Sequence, residues 1–360
     1  MIILGIESSC DETAAAVLSV DDGGNMTALS NVVNSQIAIH RLYGGVVPEI
    51  ASRAHIECIC DVVNTAIQKA GIEIKDIGLV AVTANPGLIG ALLVGVNFAK
   101  SFAFANRIPL VAVNHMKAHI AAAYVESVAD KAPKPPFLAL AVSGGHTSLY
   151  LVKSYTDYEE IGATRDDAIG ESFDKVGRLI GLPYPAGAAF DRLCKDSLAV
   201  LSPEDPTIFS YGKTQHHKKS TLKLPSPALT DGSLDFSFSG LKTASVNYIH
   251  RCEQLGVEVD KTALSAEFTY AAVEAVYSKV KQALAAYPHH GLVVAGGVAA
   301  NSHLRQALEQ AAKEMETTLA IPPLSLCGDN GLMVAAQGYH EYLAGHLADT
   351  HLNGSAADLL

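Results

Sequence analysis

An apolar strand, a polar turn and a second apolar strand occur twice in this chain, and that repeat limits its possible folds more than any other feature. The first copy runs Ile2–Ile6, a polar stretch Glu7–Thr13, then Ala14–Val20. The second runs Phe137–Val142, Ser143-Gly144-Gly145-His146-Thr147, then Ser148–Val152. Short apolar runs bounded by turn residues read as buried strands of hairpins. A further strand is expected near Leu29–Asn34, and isolated ones at Gly78–Thr83, Val111–Val113 and Leu292–Ala295. Helices are expected from Pro48 to Lys69, after Gly90 to about Asn106, over Ala263–Ala286, and after Asn301. Strands interleaved with helices predict an α/β fold. The repeated order predicts two duplicated α/β units.

A chain of 360 residues exceeds what one core ordinarily serves. The expected division is 1–135 and 136–345, with an irregular insertion at about 200–235 and a frayed tail at 346–360. The insertion carries a basic run, Lys213 to Lys223, which reads as a solvated loop or a local basic patch. The net charge of −11 argues against broad, nonspecific nucleic-acid binding. None of the six cysteines forms a C-x-x-C pair, so cysteine-held zinc and a disulfide framework are disfavoured. The N-terminus opens on a strand without the marks of a signal peptide. No apolar run of membrane-spanning length lacks polar, Gly or Pro interruption. The expectation is a cytoplasmic protein.

The chemistry-bearing stretch is Asn114-His-Met-Lys-Ala-His119. Histidines four apart on a helix share one face and can reach one metal ion. A zinc peptidase of the H-E-x-x-H kind has Glu after the first His as general base. Met116 stands there instead, so a metal here would serve other chemistry. Glycine turns follow or join apolar strands at Ser143-Gly144-Gly145 and Ala295-Gly296-Gly297, and another stands at Ala186-Gly187. Such turns let a phosphate approach free backbone N–H groups. Neither a P-loop nor a G-x-G-x-x-G fingerprint is present. Acidic residues gather at Glu7, Asp11 and Glu12 in the first turn, and at Asp174, Asp191 and Asp329. Asp329 stands before a helix, where it would serve either as an N-cap or as the carboxylate partner of two histidine ligands.

Ile6-Glu-Ser-Ser-Cys-Asp-Glu-Thr13, Asn114-His-Met-x-x-His119, Val142-Ser-Gly-Gly-His-Thr147, Gly170-Glu-Ser-Phe-Asp-Lys175, Gly296-Gly-Val-Ala-Ala-Asn301 and Asp329-Asn330-Gly331 stand in one order. Over about residues 1–340 the chain resembles the tRNA threonylcarbamoyladenosine transferases of the bacterial TsaD type, a group once described as glycoprotein endopeptidases. The resemblance implies an actin/Hsp70/sugar-kinase-like fold of two α/β domains around a nucleotide cleft. It implies transfer of the threonylcarbamoyl group from threonylcarbamoyl-AMP to N6 of the adenosine just 3′ of the anticodon, in tRNAs reading ANN codons. It implies that His115, His119 and Asp329 hold a divalent metal, Fe2+ or Zn2+. Ala141, Val142, Ser143, Gly144, Gly145, Asp174, Gly187, Asp191 and Asn301 would hold the adenylate, and Glu12, with Asp11, would lie near the acceptor amine. Implied partners are tRNA, a paralogous TsaB-like protein and a small TsaE-like ATPase, with no membrane.

The chain departs from the family pattern at three places. Lys117 replaces a frequent Glu, Ala186 replaces a usual Gly, and Ala141 stands where archaeal and eukaryotic relatives offer a Tyr ligand. The residues alone also admit a metallopeptidase, a kinase of the same fold, or a non-catalytic nucleotide-binding scaffold, since fold does not fix function.

Overall fold

A computed structural model describes residues 1–125, 131–201, 211, 222–227, 229 and 231–358. Most of the basic run Lys213–Lys223 lies outside the described residues. The strands are β1 (Ile2–Glu7), β2 (Glu12–Val20), β3 (Met26–Ser35), β4 (Leu79–Asn85), β5 (Leu110–Asn114), β6 (Phe137–Val142), β7 (Thr147–Val152), β8 (Tyr158–Ala163), β9 (Leu292–Ala295), β10 (Leu319–Ala320) and β11 (Leu347–Ala348). They form two sheets, ordered β11-β5-β4-β1-β2-β3 and β10-β9-β6-β7-β8. Apart from β11, the orders match strand for strand. Each sheet sets a run of three consecutive strands beside two later ones, with β4 parallel to β1 and β9 parallel to β6. The twofold pattern read from the hairpins is thus a repeated topology.

The chain divides into two compact units. Unit 1 comprises Met1–Pro135, Val152–Glu159 and Ala320–Leu360; unit 2 comprises Pro136–Leu151 and Glu160–Leu319. This differs from the expected 136–345 domain and 346–360 tail. The C-terminal helix Gly331–Leu343 packs on β1, β2, β4 and β5, which draws the end of the chain into unit 1. The tail is docked, not frayed. β11 pairs with β5, Lys100 Nζ donates to Leu352 O at 2.8 Å, and Ser355 N donates to Ala84 O at 2.8 Å. Asn114 Nδ2 donates to Asp358 Oδ1 at 2.5 Å.

Strand periodicity explains how unit 1 packs. Side chains alternate across a sheet. Leu4, Ile6, Ala15, Val17, Val80 and Val82 share one core with Ile59, Val63 and Ala66 of helix Pro48–Ala70 and with Val96 and Ala99 of helix Ile89–Asn106. The intervening positions are small. Ala16 pairs with Gly5, and Gly5 pairs with Ala81. Against this row the C-terminal helix sets Gly331, Ala335 and Gly338. A Cβ on Gly5 would lie 2.2 Å from Gly331 O, and one on Gly338 would lie 2.4 Å from Ala81 Cβ. Glycine here permits backbone-to-backbone approach.

Helix Ile89–Asn106 is the one described helix long and apolar enough to cross a membrane, with mean hydropathy 1.3. The sequence reading discounted it for its polar and Gly interruptions. Its residues Val96, Ala99 and Ala103 sit in the unit 1 core.

Candidate metal centre

Strand β5 ends at Asn114, whose Oδ1 accepts from Met116 N at 2.8 Å and Lys117 N at 3.1 Å. That cap starts helix His115–Ala121 at the first histidine. His115 and His119 are buried, with ring centroids 4.6 Å apart. Asp329 precedes the C-terminal helix, but the cap there is Asn330, whose Oδ1 accepts from Met333 N at 3.0 Å. The capping role open to Asp329 in the sequence is therefore filled by its neighbour. Asp329 Oδ1 instead lies 3.2 Å from His119 Nε2 and 3.7 Å from His115 Nε2.

The donor atoms of His115, His119 and Asp329 all lie within 4.8 Å of one another. A buried polar group without a hydrogen bond is costly, and among the described residues neither ring nitrogen of His119 makes one. An ion between the two rings and the carboxylate would satisfy it. Two imidazoles and a carboxylate suit a divalent transition metal, so the residues present fit the expected ion.

Charge tells the same story. Burial opposes a proton on His115, but the charges of Glu7 and then Asp329 outweigh it and hold its pKa up at about 9. Glu7 is held below the usual carboxylate range: burial raises it, and the charge and hydrogen bond of His115 more than reverse that. Glu12 is pushed up to about 9 by burial first, then by the charges of Asp329 and Asp11. Without a metal, this corner of unit 1 carries more carboxylates than it can hold ionised.

The first acidic cluster differs from its expected place. Glu7, Asp11 and Glu12 were placed together in a turn. Glu7 is the last residue of β1, fully buried and opposite Ala14. Glu12 opens β2 opposite Ser35, whose Oγ donates to Glu12 Oε1 at 3.1 Å. Only Asp11 stays in the turn, with its backbone carbonyl accepting from Gln36 N. Sequence reasoning gave Glu7 no specific role. The signal was available, since an acidic residue ending an otherwise apolar strand needs a buried partner.

In unit 2 the glycines of the sequence motifs fall into two kinds. A Cβ on Gly144, Gly145, Gly187 or Gly297 would meet nothing within 4 Å, so these glycines border open space. Gly170 and Gly296 are architectural. A Cβ there would strike Ser143 O at 2.5 Å and Val142 O at 2.3 Å, and Gly296 has φ +94°. These contacts bring turn 143–145 beside the start of helix Ile169–Leu179 and the turn after β9. Asp174 accepts from Ala186 N at 2.6 Å, and Asp191 accepts from Ser302 Oγ at 2.8 Å. Asn301 Oδ1 caps helix Ser302–Glu314 through His303 N and Leu304 N. Ala141 and Val142 are wholly buried in β6, so unlike the open glycine turns they do not border open space.

Comparison with known proteins agrees with this geometry. The family model for TsaD, tRNA N6-adenosine threonylcarbamoyltransferase, matches residues 27–336. The protein of that name from Streptococcus mutans is 46% identical over 351 residues, covering 98% of this chain and 95% of the relative. The one from Geobacillus kaustophilus is 47% identical over 354 residues, with the same coverages. Full-length HypF in a phosphate- and nucleotide-bound form aligns over 99% of this chain and 47% of its own, with TM-score 0.55 at 14% identity. HypF of T. kodakarensis aligns with TM-score 0.53 at 13% identity, over 98% of this chain and 49% of its own. These likenesses show the fold, which is of the actin/Hsp70/sugar-kinase-like class. With the family model spanning most of its length and relatives near half identity end to end, the chain belongs to the tRNA N6-adenosine threonylcarbamoyltransferase family.

Proposed function

We infer that this chain is an acyltransferase that moves the threonylcarbamoyl group of threonylcarbamoyl-AMP to N6 of adenosine 37 in tRNA, forming t6A and releasing AMP. The observation that carries the reading is the His115–His119–Asp329 constellation within a family-matched chain. The metallopeptidase alternative is not favoured, because Met116, in the place of its base, is a wholly buried apolar side chain.

In this reading the open glycine turns of unit 2 hold the adenylate. Backbone N–H groups of Gly144, Gly145 and Gly297 face its phosphate and stabilise charge as AMP leaves. Asp191 fixes the start of the Asn301 helix, and Asp174 fixes the turn before Gly187. A divalent ion, Fe2+ or Zn2+, held by His115, His119 and Asp329 would supply Lewis-acid polarisation of a donor oxygen. Glu12, with Asp11 beside it, takes up or positions the acceptor amine proton. A TsaB-like partner, a TsaE-like ATPase and a cytoplasmic setting belong to the same reading. The acidic surface supports help from partners in holding tRNA.

The test supplies unmodified tRNA, threonine, bicarbonate, ATP, the companion synthase and the partner proteins, followed by nucleoside analysis. Threonylcarbamoyladenosine is expected; its absence from the complete mixture, with threonylcarbamoyl-AMP shown to form, defeats the reading.

Two substitutions separate the roles. Glu12→Gln should slow single-turnover transfer from preloaded threonylcarbamoyl-AMP by about 10²–10⁴-fold, with adenylate affinity nearly unchanged. A wild-type rate removes Glu12 from the mechanism. Asp191→Ala should weaken adenylate binding by about tenfold, the scale of one lost polar contact. Calorimetry showing unchanged affinity would free Asp191 of that role.

A further inference from the structure

Glu7 ends a strand in which every other residue is apolar. A carboxylate with no exposure survives there only if its oxygens are hydrogen-bonded. They are. Oε1 accepts from Ser9 N at 2.6 Å, and Oε2 accepts from Thr83 Oγ1 at 2.6 Å. The remaining partner is His115, whose Nδ1 lies 3.1 Å from Oε2. The first two contacts lock the carboxylate to its own turn and to β4. The third crosses to the histidine helix.

An ionised carboxylate only accepts hydrogen bonds. In the neutral ring that would bind a metal, the proton of His115 is then placed on Nδ1, where Ser9 Oγ at 3.2 Å can also accept it, and the Nε2 lone pair faces the other way, toward Asp329. His119 has no such anchor behind its ring: among the described residues neither of its nitrogens is hydrogen-bonded, and Asp329 Oδ1, 3.2 Å from Nε2, lies on the metal side. The pair is thus asymmetric: one ring is fixed from behind and the other is held by its helix and by packing.

We propose that Glu7 is the positioning residue of the centre, fixing the tautomer and aim of His115 so that Nε2 is presented as a metal ligand. Buried carboxylates behind ligating histidines do this in metalloproteins generally, and their loss costs about 10–100-fold in metal affinity. Glu7 is not itself a ligand here, because both its oxygens are engaged and it approaches the far side of the ring. The substitution Glu7→Gln tests the idea sharply. The backbone donor Ser9 N would claim the amide oxygen. The amide N–H groups would then face Thr83 and His115 Nδ1, driving the ring proton to Nε2 and blocking the ligand position. The proposal rests on the metal-centre reading, and the experiment keeps the two apart.

Zn2+ affinity is measured by competition with a chromophoric chelator for wild type, Glu7→Gln and His119→Ala. Expected is binding by wild type, severe loss in His119→Ala, and about 10–100-fold weakening in Glu7→Gln with an unchanged circular dichroism spectrum. Loss in His119→Ala with wild-type affinity in Glu7→Gln overturns the Glu7 proposal alone. Wild-type affinity in both overturns the metal centre itself. A second readout needs no variant. In Zn2+-loaded wild type labelled with 15N-histidine, His115 should show a protonated Nδ1 and a metal-bound Nε2. Coordination through Nδ1 would end the proposal even if Glu7→Gln fails to fold.

Discussion

Replacing His119 by Ala should abolish stoichiometric binding of a divalent metal and slow threonylcarbamoyl transfer by at least about 10³-fold, the scale of several kcal/mol of lost Lewis-acid stabilisation. The fold should survive. His119 is buried on a short helix whose cap, Asn114, and whose apolar side chains, Met116 and Ile120, are untouched. The side chain lost makes no hydrogen bond in the described structure, and the partner it leaves behind is the partly exposed Asp329 carboxylate 3.2 Å from its Nε2. Metal analysis by mass spectrometry, paired with a single-turnover assay, checks both halves. Full metal content in the variant would mean that His119 is an ordinary buried histidine.

The largest expected stability effect belongs to a residue far from any chemistry. Gly5→Ala should destabilise unit 1 by about 1–3 kcal/mol, the usual range for overpacking. The added Cβ would sit 2.2 Å from Gly331 O and 2.7 Å from Ala335 N. Both are backbone atoms, so no side-chain rotation relieves the clash, and the C-terminal helix must lift off the sheet. Asp329 lies two residues before Gly331, so the variant should also lose metal affinity. Gly144→Ala is the control, because its Cβ would meet nothing within 4 Å. Thermal denaturation of the two variants, with and without metal, measures the contrast. Equal melting temperatures would show that the helix can move at no cost.

Much of this was legible in the sequence because it is local. The strand–turn–strand repeat announced the duplicated units, and the His115–His119 spacing announced one face of one helix. Asp329 was different. No periodicity links it to the histidines, so the residues alone left it between cap and ligand and the family resemblance chose the ligand; that Asn330, not Asp329, would cap the next helix depends on a backbone the sequence does not display. Glu7 hid for a related reason, since its buried partners are a backbone N–H, a threonine of β4 and a distant histidine. The row Ala16, Gly5, Ala81 spans three separate strands, so its shared smallness is visible only once the sheet pairs them. The tail read as loose because Asn353, Gly354 and Ser355 are loop-forming residues, yet what holds it is largely main-chain hydrogen bonding.

The discontinuity of unit 1 has a consequence for how the enzyme is made. On a ribosome the two histidines emerge early, and the whole of unit 2 is synthesised before Asp329 and the helix that carries it. Until then β1, β2 and β4 lack the cover of that helix on their small-residue face, and a cation would find two of its three protein donors. Nascent chains halted before Asp329 should therefore bind metal weakly. In the proposed centre, loading would follow the synthesis of Asp329 and of the helix after it.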